Sequence, residues 1–137
     1  MEPAITIEAT VFAPADKVWE YWTGTDHICK WNNASEDWHT VYAENDLQPG
    51  GKFLSRMEAK DKSFGFDFGG VYDEIKQNKI IKYTLEDGRK VEISFSPAAD
   101  STVITETFDP ENTNSVEIQK RGWQNILDNF KRYTEAK

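Results

Sequence analysis

The sequence predicts an α+β domain: a curved antiparallel sheet of six or seven strands wrapped around a long C-terminal helix, with two short helices after the first strand. Three observations lead there. Residues 114–133 carry an apolar stripe at three-and-four spacing, made by Val116, Gln119, Trp123, Ile126, Leu127, Phe130 and Tyr133. Residues 38–108 read as short alternating runs separated by turn residues, the pattern of a meander. The chain has 137 residues, 38% of them hydrophobic, which suits one domain with a sizeable core. A helix of that length spans ~30 Å, and the chain before it offers mainly strands to cover its stripe.

The elements follow in order. Ile5, Ile7, Ala9 and Val11 alternate with polar residues as a half-buried strand. Pro14 opens a short helix with Val18, Trp19 and Trp22 on one face, and Thr23-Gly24 stops it. Residues 25–31 form a second helical piece with Asp26 in its first turn, and residues 32–35 read as loop. Strands are predicted over residues 38–43 and 52–59, the latter with Phe53, Ser55 and Met57 on one face after the Pro49-Gly50-Gly51 turn. Phe64, Phe66 and Phe68 alternate with polar or glycine residues, so this strand is expected to turn its aromatic side to the core, its glycines allowing curvature. Ile81, Tyr83 and Leu85, the Asp87-Gly88 turn, and Val91, Ile93 and Phe95 make a hairpin. Ile104, Glu106 and Phe108 share one face of the last strand.

Composition narrows the function classes. A formal charge of -8 opposes attraction to nucleic-acid phosphates or anionic lipid, and no basic patch offsets it. No apolar run reaches membrane-spanning length, so no membrane insertion is expected. The single cysteine, Cys29, excludes an intrachain disulfide, and no basic-plus-apolar leader opens the chain, so a reducing cytoplasm is the default location.

Few residues carry chemistry. Cys29 follows His27 by two, with His39 further on, but paired metal-ligand spacing is missing and a lone cysteine is ordinarily an apolar filler. The glycine pairs at 50–51 and 69–70 lack the lysine and following helix of a phosphate loop. Glu106 stands out, because the parity that turns Ile104 and Phe108 inward turns it inward too, where an unpaired carboxylate costs several kcal/mol. Either it is a polar group within a cavity, or a register shift brings it to the rim. Arg56, a conceivable partner, has the opposite parity from Phe53 and Met57. The chain carries five Trp, five Tyr and eight Phe, enough to line a cavity as well as a core. Gly122 beside Trp123 is expected to let the helix backbone approach the sheet closely, or to relieve crowding there.

Four segments in this order are similar to one family: Pro14-x-x-x-Val18-Trp19-x-x-Trp22, Asp46-Leu47-x-Pro49-Gly50-Gly51-x-Phe53, Gly70-Val71 and Gly122-Trp123-x-x-x-Leu127-x-x-Phe130. Together they resemble the activator of heat-shock protein 90 ATPase homologue type. That type belongs to the helix-grip superfamily (SRPBCC), shared with START lipid-binding domains and the birch-pollen allergen. The resemblance covers nearly the whole chain and implies the helix-grip fold. Its members include ligand carriers, cyclases and a co-chaperone domain, so it implies a class of site more than one activity. Chaperone contact is implied by the resemblance alone. Direct stimulation is not expected, since the first strand begins at the chain's start, where the co-chaperone has a further domain.

The leading expectation is a non-enzymatic module holding a small lipophilic or aromatic molecule between sheet and helix. Its lining would come from Trp19, Trp22, Phe53, Phe66, Phe68, Tyr83, Phe95 and Trp123, with Glu106 among the few polar groups; no metal or cofactor is expected. The alternatives are a cyclase- or hydrolase-type enzyme using Glu106, His27 or His39 for proton transfer, and a protein-interaction domain.

Overall fold

The computed structural model describes residues 4–33 and 35–137, so Ala34 of the predicted 32–35 loop lies outside them. The chain runs β1 (Ile5–Val11), α1 (Ala15–Thr23), α2 (Thr25–Trp31), β2 (Trp38–Asn45), β3 (Lys52–Ala59), β4 (Gly65–Lys76), β5 (Ile80–Leu85), β6 (Lys90–Pro97), β7 (Thr102–Phe108) and α3 (Val116–Glu135). The seven strands form one antiparallel sheet in the order β1-β7-β6-β5-β4-β3-β2. From β2 to β7 every strand pairs with its sequence neighbour, as short connections favour. The paired strands β1 and β7 are instead joined through the whole meander.

Period-two patterning sets the inward face. Ile5, Ile7, Ala9 and Val11 of β1 are all buried, as are Ile81, Tyr83 and Leu85 of β5 and Val91, Ile93 and Phe95 of β6. The β5–β6 turn uses Gly88 at φ 92°, a left-handed conformation that costs glycine little, and its N–H donates to the Leu85 carbonyl. β4 is longer than the predicted run at residues 64–68. Its alternation continues through Tyr72, and a register shift between Tyr72 and Glu74 bends it toward β5.

Helix α3 starts where Ser115 caps it by accepting from the Ile118 N–H at 3.2 Å. Leu127, Phe130 and Thr134 are fully covered, whereas Val116 and Ile118 of the first turn remain exposed. The helix also clips β1, an edge strand, along its length. Gln124 donates to the Glu8 carbonyl, Lys131 to the Thr10 carbonyl at 2.6 Å, and the Phe12 N–H donates to Glu135. These side chains occupy backbone groups that a bare edge would leave open to another strand. Asn129 reaches back to the Trp31 carbonyl and ties α3 to α2.

Two sequence expectations change here. A Cβ at Gly122 would meet nothing within 4 Å, so this glycine neither permits a close approach nor relieves crowding. The Phe64-Phe66-Phe68 run does not turn uniformly into the core, since Phe64 is 73% and Phe66 46% exposed. Phe66 shares the parity of Phe68 but lies toward the start of β4, opposite Met57 and against Trp38 at 5.6 Å. Parity gives the face, and only covering elements give burial.

Candidate functional site

The inward face of the sheet carries one ionisable acid in an apolar row. Glu106 lies on β7 directly between Ile7 of β1 and Ile93 of β6, and Ile93 in turn pairs with Ile81 of β5. Ile104 and Phe108 flank it on its own strand, and all five apolar neighbours are buried. Glu106 is only 6% exposed. Among the described residues no cation and no hydrogen-bond donor engages it, so burial alone pushes its carboxyl up to about 8. Near neutral pH the group is therefore mostly a protonated acid, able to donate one hydrogen bond and to accept others. The alternative of a rim position does not occur. Arg56 points away and holds Glu58 at 3.1 Å and Asp67 at 3.4 Å on the other side of the sheet.

The eight predicted aromatic residues divide into three places. Trp19 and Trp22 of α1 form one cluster with Phe95 of β6: Phe95 meets Trp19 at 5.4 Å and Trp22 at 5.8 Å, and Trp22 packs on Trp31 and Phe130. Phe53, Phe68, Tyr83 and Trp123 form a second group, with Phe53 at 4.7 Å from Tyr83 and 6.1 Å from Phe68, and Phe68 at 6.1 Å from Trp123. Phe53, Phe68 and Trp123 are half-buried, as is Trp22 of the first group, whereas Trp19, Phe95 and Tyr83 are buried. Phe66 belongs to neither group.

Glu106 belongs with the second group. Its charge, when present, reaches Tyr83, whose phenol is held well above its usual range first by burial and then by that carboxylate. The structure adds two residues that the sequence left out of the site. Phe108 stacks on Trp123, and Tyr72 lies 5.1 Å from Phe53 with its hydroxyl donating to Asn45 Oδ1. The signal for Tyr72 was the alternation running on past Gly70. Gln119, also buried, is already occupied, accepting from the Glu111 N–H and donating to the Glu111 and Asn114 carbonyls.

Two open depressions lie elsewhere. One of about 1030 Å³ involves Lys52, Leu54, Val71 and Thr84, residues of the outward parity, and takes in only Phe53 of the predicted set. The other, of about 150 Å³, borders Phe68 beside Asp87 and Arg89.

The remaining candidates hold no reactive arrangement. Burial, and secondarily Asp26, push the Cys29 thiol up, which disfavours a thiolate nucleophile. His27 stacks on Tyr21 at 4.0 Å and shares a 2.6 Å hydrogen bond with the Tyr133 hydroxyl, an interhelical tie. His39 pairs across the sheet with Glu58. Among the described residues no His, Cys, Asp or Glu cluster has the makings of a metal site, and no helix is long and apolar enough to cross a membrane.

Comparison with known proteins agrees with this architecture. An AHSA1-like protein from Aeromonas hydrophila, solved in solution, is 43% identical, with a TM-score of 0.92 over 97% of this chain and 92% of that one. A solution structure from Cytophaga hutchinsonii is 55% identical, with a TM-score of 0.84 over 96% and 92%. A crystal structure from Chromobacterium violaceum shares the fold at 20% identity, TM-score 0.88, covering 98% and 99%. No curated protein matches. The model of the family described as activator of Hsp90 ATPase homolog 1-like protein matches residues 12–135, and with these relatives it establishes that this chain belongs to the AHSA1-like family.

Proposed function

We propose that the protein is a non-enzymatic binding module that holds a small hydrophobic or aromatic molecule between the inward face of the sheet and α3. The observation that carries this reading is Glu106, a buried acid in a row of isoleucines with no partner among the described residues. An orphaned polar group of this kind costs folding free energy, and natural interiors satisfy such groups or use them. The half-buried rings of Phe53, Phe68 and Trp123 supply an apolar approach to it. In this reading Trp19, Trp22 and Phe95 lie on the α1 side of the molecule held, Tyr83 adds a second polar tip, and Phe66 is left out of the lining. For an enzyme the constellation is thin, since among the described residues no second acid, base or nucleophile joins Glu106 apart from the Tyr83 phenol, itself held in its neutral form.

Net charge opposes the approach of anions, and the apolar row around Glu106 offers them no cation. Titration of tryptophan emission with a neutral diacylglycerol and with a fatty-acid anion of equal chain length tests the reading. The neutral compound should give a saturable change, the anion a much weaker one, and Trp123→Phe should remove most of the response. Absence of any saturable change across neutral apolar compounds would overturn it.

A further inference from the structure

We infer that the molecule held at this site is uncharged and carries an acceptor oxygen, a carbonyl or an ether, to which Glu106 donates its proton as a hydrogen bond. This rests on the binding reading above and specifies the chemistry of its ligand. The argument begins with what surrounds the acid. Ile7, Ile93, Ile81, Ile104 and Phe108 offer no donor and no charge, and the carboxyl has no cation among the described residues. Among the described residues the cation acting on this group, Arg89, acts on Tyr83 and is engaged by Asp87 at 2.7 Å.

A group so placed has three conceivable complements: a cation, an anion or a neutral acceptor. A cationic ligand would have to be desolvated together with the carboxylate in an apolar row that supplies no further hydrogen bonds, and such pairs barely repay their desolvation. An anion would lose its hydration in the same apolar row with no cation to replace it, and the overall charge opposes its approach. A neutral acceptor asks only that the acid stay protonated, which its surroundings already favour. The complement is therefore a carbonyl or ether oxygen on an otherwise apolar body, with rings or chain lying against Phe53, Phe68 and Trp123.

The arrangement also accounts for an acid in place of a simpler donor. Hydroxyls and amides at such a site can engage their own backbone, whereas the longer glutamic acid side chain keeps its O–H free for a ligand. The benefit is discrimination, because a buried polar group left unmatched penalises a pure hydrocarbon relative to an acceptor-bearing molecule of the same shape.

The test uses propiophenone and propylbenzene, two near-isosteres that differ by one carbonyl oxygen, titrated by ligand-observed NMR against the wild-type chain, Glu106→Gln and Glu106→Leu. The ratio of the two dissociation constants cancels their different hydration when it is compared between variants. Glu106→Leu should reduce the relative preference for the ketone about tenfold, while Glu106→Gln, which retains an N–H donor, should keep most of it. If both compounds bind and Glu106→Leu leaves the ratio unchanged, the inference is wrong and the binding reading stands. If Glu106→Gln loses the preference as fully as Glu106→Leu, donation is not the basis of selection and the inference is likewise overturned. If neither compound binds any of the three proteins, the binding reading falls and the inference with it. Propylbenzene binding to Glu106→Leu would show that the variant keeps its site intact.

Discussion

Trp123 of α3 lies flat on Phe108 of β7, with ring centroids 3.8 Å apart and planes 9° from parallel. This stack joins the last helix to the strand that carries Glu106, and Trp123 also meets Phe68 of β4. One side chain thus spans from β7 to β4 across the inward face of the sheet.

Trp123→Ala should therefore destabilise the fold by about 3 kcal/mol, near the lower end for buried aromatic truncation because the ring is only half-covered. Chemical denaturation measures it, with Trp123→Phe expected to recover most of the loss. A chain ending near Asp109, without α3, should lose cooperative unfolding, since the β1 face and Phe108 would be bared. A sharp thermal transition in that truncation would contradict the role assigned to the helix.

Glu106 makes stability depend on pH in a defined direction. Its carboxyl titrates at about 8 when folded, against an ordinary value of 4.5. The folded state therefore holds the proton that the unfolded chain releases, and stability falls as pH rises. The contribution is fully present below about 4.5, is lost progressively between there and about 8, and is absent above. The loss amounts to roughly 3–5 kcal/mol across that window. Glu106→Gln, which cannot ionise, should remove this slope, so its stability relative to wild type should grow from pH 5 to pH 9 in urea titrations. Parallel pH profiles for the two proteins would show that the acid is not buried as described.

Two glycines should respond to alanine in opposite senses. At Gly122, inside α3, the added methyl meets open space, and the gain in helix propensity should stabilise the protein by roughly 0.5–1 kcal/mol. At Gly70, on β4, a Cβ would fall 2.3 Å from the Thr84 carbonyl oxygen, a backbone atom that cannot step aside without opening the β4–β5 pairing. Gly70→Ala should cost at least ~1–3 kcal/mol. Equal shifts in melting temperature for the two variants would refute the packing described at both sites.

Cys29 should be a slow thiol. Burial and Asp26 keep it protonated to higher pH than a free cysteine, so alkylation by iodoacetamide at pH 7.5 should run slower in the native protein than in the unfolded chain. Faster reaction in the native state would point to an activated thiolate and reopen a catalytic role for that region.

The sequence by itself determined whatever depends on local periodicity. The alternation Ile5-Ile7-Ala9-Val11 fixed the inward side of β1, and the same rule applied to Ile104 and Phe108 turned Glu106 toward the interior. The stripe fixed the covered side of α3 from Gln119 onward, although Val116 at its start stays exposed, and Asp87-Gly88 fixed a hairpin. Tertiary structure alone decided which inward residues were covered. Phe66 and Phe68 share a face, yet only Phe68 comes within reach of Trp123, because the extent of α3 over the sheet is set by packing many residues away. The division between the Trp19–Trp22–Phe95 cluster and the Phe53–Phe68–Trp123 group arose the same way, from where α1 and α2 settle. The isolation of Glu106 was equally invisible in the chain: parity can turn a carboxyl inward, but whether any cation follows it there depends on the register of strands and helices that the sequence brings together only once folded.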